Sequence, residues 1–190
     1  MADDKSGRDK QARDAERRQQ EREIATELER GDETEPSVDP ATLTDFEGEL
    51  DELTFPATGT DVVAAVGDHG LESAGERYTI EELVPESDEE TFDSPDAVRV
   101  QVRRPTVAAA MKRIVEASTT LRSTDLSWSQ RKAYEMTFEE LEAIDADDDD
   151  EGIRVIRDWI TDRIHDEERL PSSREVRREA AKFCRANGYQ

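Results

Sequence analysis

Apolar residues recur along this chain in short runs at helical spacing, cut by proline, glycine and acidic punctuation. Leu43, Phe46, Leu50 and Leu53 fall three and four residues apart behind Asp39 and Pro40, an N-cap acid and a proline suited to the first helical position. That spacing predicts one amphipathic helix. The Pro and Gly signals in FPATGT mark a turn, with Thr60 read as the cap of a short helix over Val62, Val63 and Val66 that stops at Gly67 or Gly70. Thr79 and Glu82 form a capping box ahead of IEELV, closed by Pro85. Ser94, Pro95 and Asp96 start another helix, yet AVRVQVR alternates Val98, Val100 and Val102 with polar residues at the two-residue period of a strand. The start signal, the stop at Pro105 and the want of a clear partner strand favour helix there. From Thr106, VAAAMKRIVEAS predicts a helix that buries Val107, Met111, Ile114 and Val115.

Three more helices are expected beyond Leu121. The first starts near Ser127 and buries Trp128, Tyr134, Phe138 and Leu141 in part. In the second, Ile153, Ile156, Ile160 and Ile164 share one stripe with Trp159 beside it. The third opens on a Ser172/Glu175 capping box and ends at Gly188 as its C′ residue. Residues 1–40 differ from all of this. Within them, residues 12–36 alternate charge signs around only Ile24 and Leu28, which fits a solvated helix or a disordered arm. The expected class is all-α: a charged N-terminal arm over 1–40, a small helical domain over 41–121 and a C-terminal three-helix region over 122–190.

Composition adds the solvent to this picture. Among 190 residues, 26 are Lys or Arg and 49 are Asp or Glu, a formal net charge of −23, and hydrophobic residues make up only 34%. Lys occurs at Lys5, Lys10, Lys112, Lys132 and Lys182 alone, the other basic residues being Arg. An acid-rich, Lys-poor chain is the profile of a protein from brine, where a Debye length of roughly 3 Å screens carboxylates that would repel in dilute buffer. Acidic runs then read first as hydrated surface. The single Cys184 excludes an internal disulfide, and neither a signal peptide nor a membrane-length apolar run is seen, so a cytoplasmic location is expected. The charge as a whole opposes nucleic acid and anionic membranes, so a local basic patch is needed to meet either.

FPAT, then Asp61 and Val62, then ETFDSPDAV with Val98 resembles a small helical domain of unknown function found in haloarchaeal proteins, some with a charged arm that opens MADDK. The resemblance covers about residues 50–103, and the arm loosely. It implies an all-helical fold and a salt-loving cytoplasm, and it carries no activity and no functional residues.

Two constellations invite a chemical reading. Asp147, Asp149 and Glu151 fall at positions one, three and five of a calcium-loop template, with Gly152 at six and Asp158 at twelve. Against it, Asp158 is a methylene shorter than the usual bidentate Glu, and Arg154 stands where an apolar residue normally pairs two loops. Acids ahead of a helix also simply complement its dipole, so no metal is expected. In the last helix, Arg174, Arg178, Lys182 and Arg185, with Arg177 beside them, stack on one face opposite Val176, Ala180 and Phe183. That stripe would contact phosphate in a faint helix-turn-helix outline, or else pair with the acidic run at 147–151 within one molecule or across a dimer.

Catalysis is the least favoured class. His69 and His165 have no second His or Cys at ligand spacing, and no phosphate loop or nucleophile with its base is present. Cys184 lies on the inner side of the last helix and reads as packing. No cofactor is implied. The preferred function is a non-catalytic protein-interaction or regulatory module with an unidentified protein partner, and the alternative is a weak DNA binder using the Arg-rich helix. A calcium-responsive helix-loop-helix stands third.

Overall fold

The computed structural model describes residues 38–73, 75–122, 125–144 and 150–189. The arm expected over residues 1–40 lies, up to residue 37, outside the described residues. The fold is mostly helical, as expected, with two short antiparallel ribbons added to it.

Helix α1 (Pro40–Glu49) runs into a 3₁₀ turn at Leu50–Glu52. Asp39 Oδ1 accepts the Ala41 N–H at 2.8 Å, Pro40 takes the first turn, and Leu43, Phe46 and Leu50 are buried. A two-residue strand, β1 (Ala57–Thr58), leads into α2 (Gly59–Val66). The cap of α2 is Thr58, not Thr60. The Thr58 hydroxyl accepts the Asp61 N–H at 3.1 Å while the Asp61 carboxylate accepts the Thr58 N–H at 2.9 Å. A reciprocal box requires an acid or amide three residues on, which Thr58 has in Asp61 and Thr60, followed by Val63, does not.

The hairpin β2 (Gly70–Ser73) and β3 (Glu76–Thr79) pairs Leu71 with Tyr78 and closes through Gly75 at φ +83°, a conformation that glycine adopts without strain. Four residues a side is too short for its alternation to stand out in the sequence. Helix α3 (Ile80–Leu83) follows behind the expected Thr79/Glu82 box, and β4 (Thr91–Phe92) returns to pair with β1. Helix α4 (Pro95–Val102) settles the ambiguous valines. Val98 and Val102 stand one turn apart and are buried, while Val100 faces outward at 45% exposure.

Helices α5 (Pro105–Ser118), α6 (Trp128–Ile144), α7 (Glu151–Glu167) and α8 (Ser173–Ala186) complete the chain. Buried apolar side chains form two cores. The first joins α1, α2, the ribbons, α3 and α4 through Phe46, Leu71, Ile80, Leu83, Val98 and Val102. The second joins α5 to α8 through Met111, Ile114, Tyr134, Phe138 and the isoleucine stripe of α7. Helix α5 serves both, since Ala108 belongs to the first core and Val107, Ala110 and Met111 to the second.

One expected core residue is misplaced. Trp128 is 79% exposed. At 100° per residue it lies across α6 from Tyr134 and Leu141, so the face that buries those two turns the indole to water. Trp159, by contrast, packs against the second core as expected, with Arg163 over its ring at 4.9 Å.

Candidate functional site

Two arginines link the segments that form the two cores. Arg104, at the α4–α5 junction and only 6% exposed, reaches α6: its Nη1 donates to Glu142 Oε2 at 3.0 Å, and its Nε lies 4.0 Å from Glu139 Oε1. Burial pushes the Glu142 carboxyl up even though Arg104 pulls it down. Arg131 of α6 reaches back, with Nη2 donating to Gln101 at 2.9 Å, Nη1 to Glu90, and Nε to Glu135 at 3.2 Å. Sequence reasoning singled out neither residue. Arg104 has no carboxylate between Asp96 and Glu116 in the sequence, and its partners in α6 are chosen only by the fold.

Above this junction, α4, α5 and α6 leave a small cleft of about 90 Å³, floored by Ala97, Val107, Ala108 and Met111, with Val100 and Lys132 on its rim. Trp128 sits one turn before Lys132 on the same face of α6. Met136, a turn after Lys132, is also exposed. A second, shallower groove of about 450 Å³ between α3 and α5 is lined by Tyr78, Glu81, Glu82, Glu86, Lys112 and Glu116, among others. Lys112 spans it by donating to the Glu81 carbonyl. Burial, then the hydrogen bond to Glu76, pushes the Tyr78 phenol up to about 12.

Helix α8 is seated from its start. Gln130 Nε2 donates to the Pro171 carbonyl at 2.8 Å and the Tyr134 hydroxyl donates to the same oxygen; burial pushes that phenol up to about 12. The Ser172/Glu175 box forms as expected, and Arg169 donates to Glu175 at 2.9 Å. Hydrogen bonds from Arg169 and then Ser172 hold the Glu175 carboxyl down at about 2. At the other end, the Tyr189 N–H donates to the Cys184 carbonyl at 2.9 Å around Gly188 at φ +79°, a Schellman closure.

The predicted basic stripe is brought together. Arg174, Arg177, Arg178, Lys182 and Arg185 are all exposed on the outward face of α8. Lys182 pairs with Glu179 at 3.0 Å, and Arg185 Nε donates to the Ala181 carbonyl at 3.1 Å. Among the described residues, Arg174, Arg177 and Arg178 make no ion pair. The helix-turn-helix outline is corrected: Gly152, at the start of α7, lies against Phe183, near the end of α8, so the two helices run antiparallel as a hairpin. They do not cross steeply, as in a DNA-reading pair.

The calcium template is not met either. Asp147 and Asp149 lie outside the described residues, and Glu151 and Asp158 both sit on α7. Gly152 is helical, and a Cβ there would fall 3.1 Å from Phe183 Cε1 and 3.3 Å from Leu141 Cδ2. Its glycine serves close helix packing rather than a loop turn. Asp158 is held by Arg157 at 2.6 Å, and Asp150 accepts the Thr106 hydroxyl at 3.0 Å. Among the described residues, no three His, Cys, Asp or Glu side chains converge as a metal site would require. His69 Nδ1 lies 2.8 Å from Glu49, with its ring against Phe46. His165 Nδ1 lies 2.7 Å from the Thr161 carbonyl, and Cys184 packs against the second core.

The two motifs that carry the family resemblance meet in space. Ala57 of FPAT pairs with Phe92 of FDSPDAV across β1 and β4, and each motif then caps a helix, through Thr58 and Ser94. Residues 38–114 match DUF5789, a family of unknown function. The DUF5789 segment begins where Val38 bridges to Ser73 and ends at Ile114, so it holds the first core and carries α5 into the second. Arg104 lies inside the segment, whereas Arg131, Trp128 and the α8 stripe lie beyond it. No curated protein and no solved structure matches the chain. Among the described residues, no helix is long and apolar enough to cross a membrane.

Proposed function

We propose that the protein is a non-catalytic interaction module adapted to high salt, which offers the α4–α5–α6 cleft to a partner protein bearing an apolar anchor side chain. The observation that carries this reading is Trp128, 79% exposed on the face of α6 that lines the cleft. A large rigid aromatic held in water beside a concave surface is the usual make-up of a binding hot spot. Val100 supports it from the α4 side, 45% exposed on the cleft rim. The cleft, at about 90 Å³, suits one anchoring side chain and falls short of the several hundred Å³ usual for a small-molecule site. Both histidines and Cys184 are engaged in local contacts, which supports placing the module outside catalysis. The surplus of acid supports a salt-rich setting.

The test is capture at molar KCl with the full chain, comparing wild type, Trp128→Ala and Val100→Asp, all checked for unchanged thermal unfolding. A protein retained in stoichiometric amount by wild type and released by both variants is the expected result. Equal retention by all three would end this reading.

A further inference from the structure

We infer that the outward face of α8 is a phosphate-contacting surface that holds duplex nucleic acid without reading its sequence. This face is distinct from the cleft beside Trp128. It does not depend on that reading.

Arg174 and Arg185 stand eleven residues apart, roughly 16 Å along the helix, and all five cations of the stripe point to solvent. Fold stability does not account for them. Arg174 lies in the first turn of α8, where the helix dipole disfavours a cation, and neither it nor Arg177 nor Arg178 has an ion-pair partner among the described residues. The acidic start of α7 is not level with the first of them: Gly152, next to Glu151, packs against Phe183, nine residues from Arg174, or roughly 13 Å along the axis.

The composition of the face selects the partner. Ala181 is the one apolar residue among Arg174, Arg177, Arg178, Lys182 and Arg185 on this side, whereas a protein interface needs a desolvated apolar or aromatic centre. Interfaces with nucleic acid are polar and strongly positive. The same surface offers no free amide side chain, the usual reader of adenine edges. The one amide at this end, Asn187, donates its Nδ2 to the Phe183 carbonyl at 3.1 Å. The antiparallel packing of α7 on α8 also lays the helix along a backbone instead of driving its tip into a groove. Contacts of this kind fix position and carry no sequence information. The net charge of −23 opposes approach, so binding is weak and steep in salt.

The experiment is fluorescence anisotropy of the full chain with two labelled DNA duplexes of unrelated sequence, over a KCl series, beside labelled polyglutamate. Wild type should bind both duplexes alike and polyglutamate more weakly. Changing Arg174, Arg177 and Arg178 together to Gln should flatten the plot of log affinity against log salt by about 2.7, three cations at 0.9 each. The matching Lys triple should restore the slope, which separates loss of charge from loss of fold, and Trp128→Ala should leave it unchanged. Absence of duplex binding at low salt, an unaltered slope in the Gln triple, a Lys triple that fails to recover it, or tighter binding of polyglutamate would each overturn the proposal. The last outcome would assign the face to an acidic protein.

Discussion

Glu175 illustrates how one side chain does several jobs on a small helical protein. Its carboxylate accepts the Ser172 N–H at 2.8 Å, the Ser172 hydroxyl at 2.9 Å and the Arg169 guanidinium at 2.9 Å, and it closes the start of α8. A carboxyl held down to about 2 in the fold contributes stability that is complete above its ordinary value and lost as pH falls from there toward 2. The unfolded chain takes up the proton first, so acid favours unfolding through this group. In urea titrations between pH 5 and pH 2.5, Glu175→Gln is expected to start less stable than wild type and to lose less on acidification. Parallel pH curves for the two proteins would show that Glu175 does not titrate in this way. Arg169 sits next to Leu170 and Pro171 with nothing in the local pattern to single it out. The Ser172/Glu175 box was legible because its spacing is local, and the Arg169 contact was not because it depends on how the preceding turn folds back.

Helix α5 is the element on which the two cores depend together. Its residues alternate allegiance within one turn, Val107 to the second core and Ala108 to the first, because the two cores lie on different sides of the same cylinder. Replacing the fully buried Ile114 with Ala is expected to cost about 2–5 kcal/mol in chemical unfolding. If α5 couples the cores, hydrogen exchange will show lost protection at Leu83 and Val98 as well as at Phe138 and Ile156. Loss confined to the second core would mean that they unfold separately, at a boundary near the one expected at residue 121. At this scale, the helices themselves were readable from caps and periodicity, including the α4 valines once Ser94 and Pro105 were weighed. The β2–β3 hairpin was not, because its pairing rests on Gly75 and on cross-strand partners more than on any run of apolar residues.

For the whole molecule, the decisive quantity is the net charge of −23 on 190 residues with only 34% hydrophobic content. Two modest cores must hold together against self-repulsion that falls as ions are added. The midpoint of thermal unfolding, followed by circular dichroism, is expected to rise steadily from dilute buffer to molar KCl, with cooperativity weakest at the dilute end. An unfolding transition of the same midpoint and sharpness across the series would show that the acidic surface does not govern stability. The buried Arg104 and half-buried Arg131 links are screened far less than surface pairs, so they should persist over the same range.

What the sequence determined by itself was local: helix starts at Asp39, Thr79, Ser94 and Ser172, the isoleucine stripe of α7, the basic face of α8, and the surplus of acid. Each depends on residues within a turn or two of one another, or on composition alone. The tertiary structure decided what depends on distant neighbours. It placed Trp128 in water, made Gly152 a contact between helices instead of a metal-loop turn, ran α7 and α8 antiparallel, and chose Glu142 and Glu90 out of many acids as the distant partners of Arg104 and Arg131. Spacing along a chain fixes which face a residue occupies, but only packing decides what that face meets.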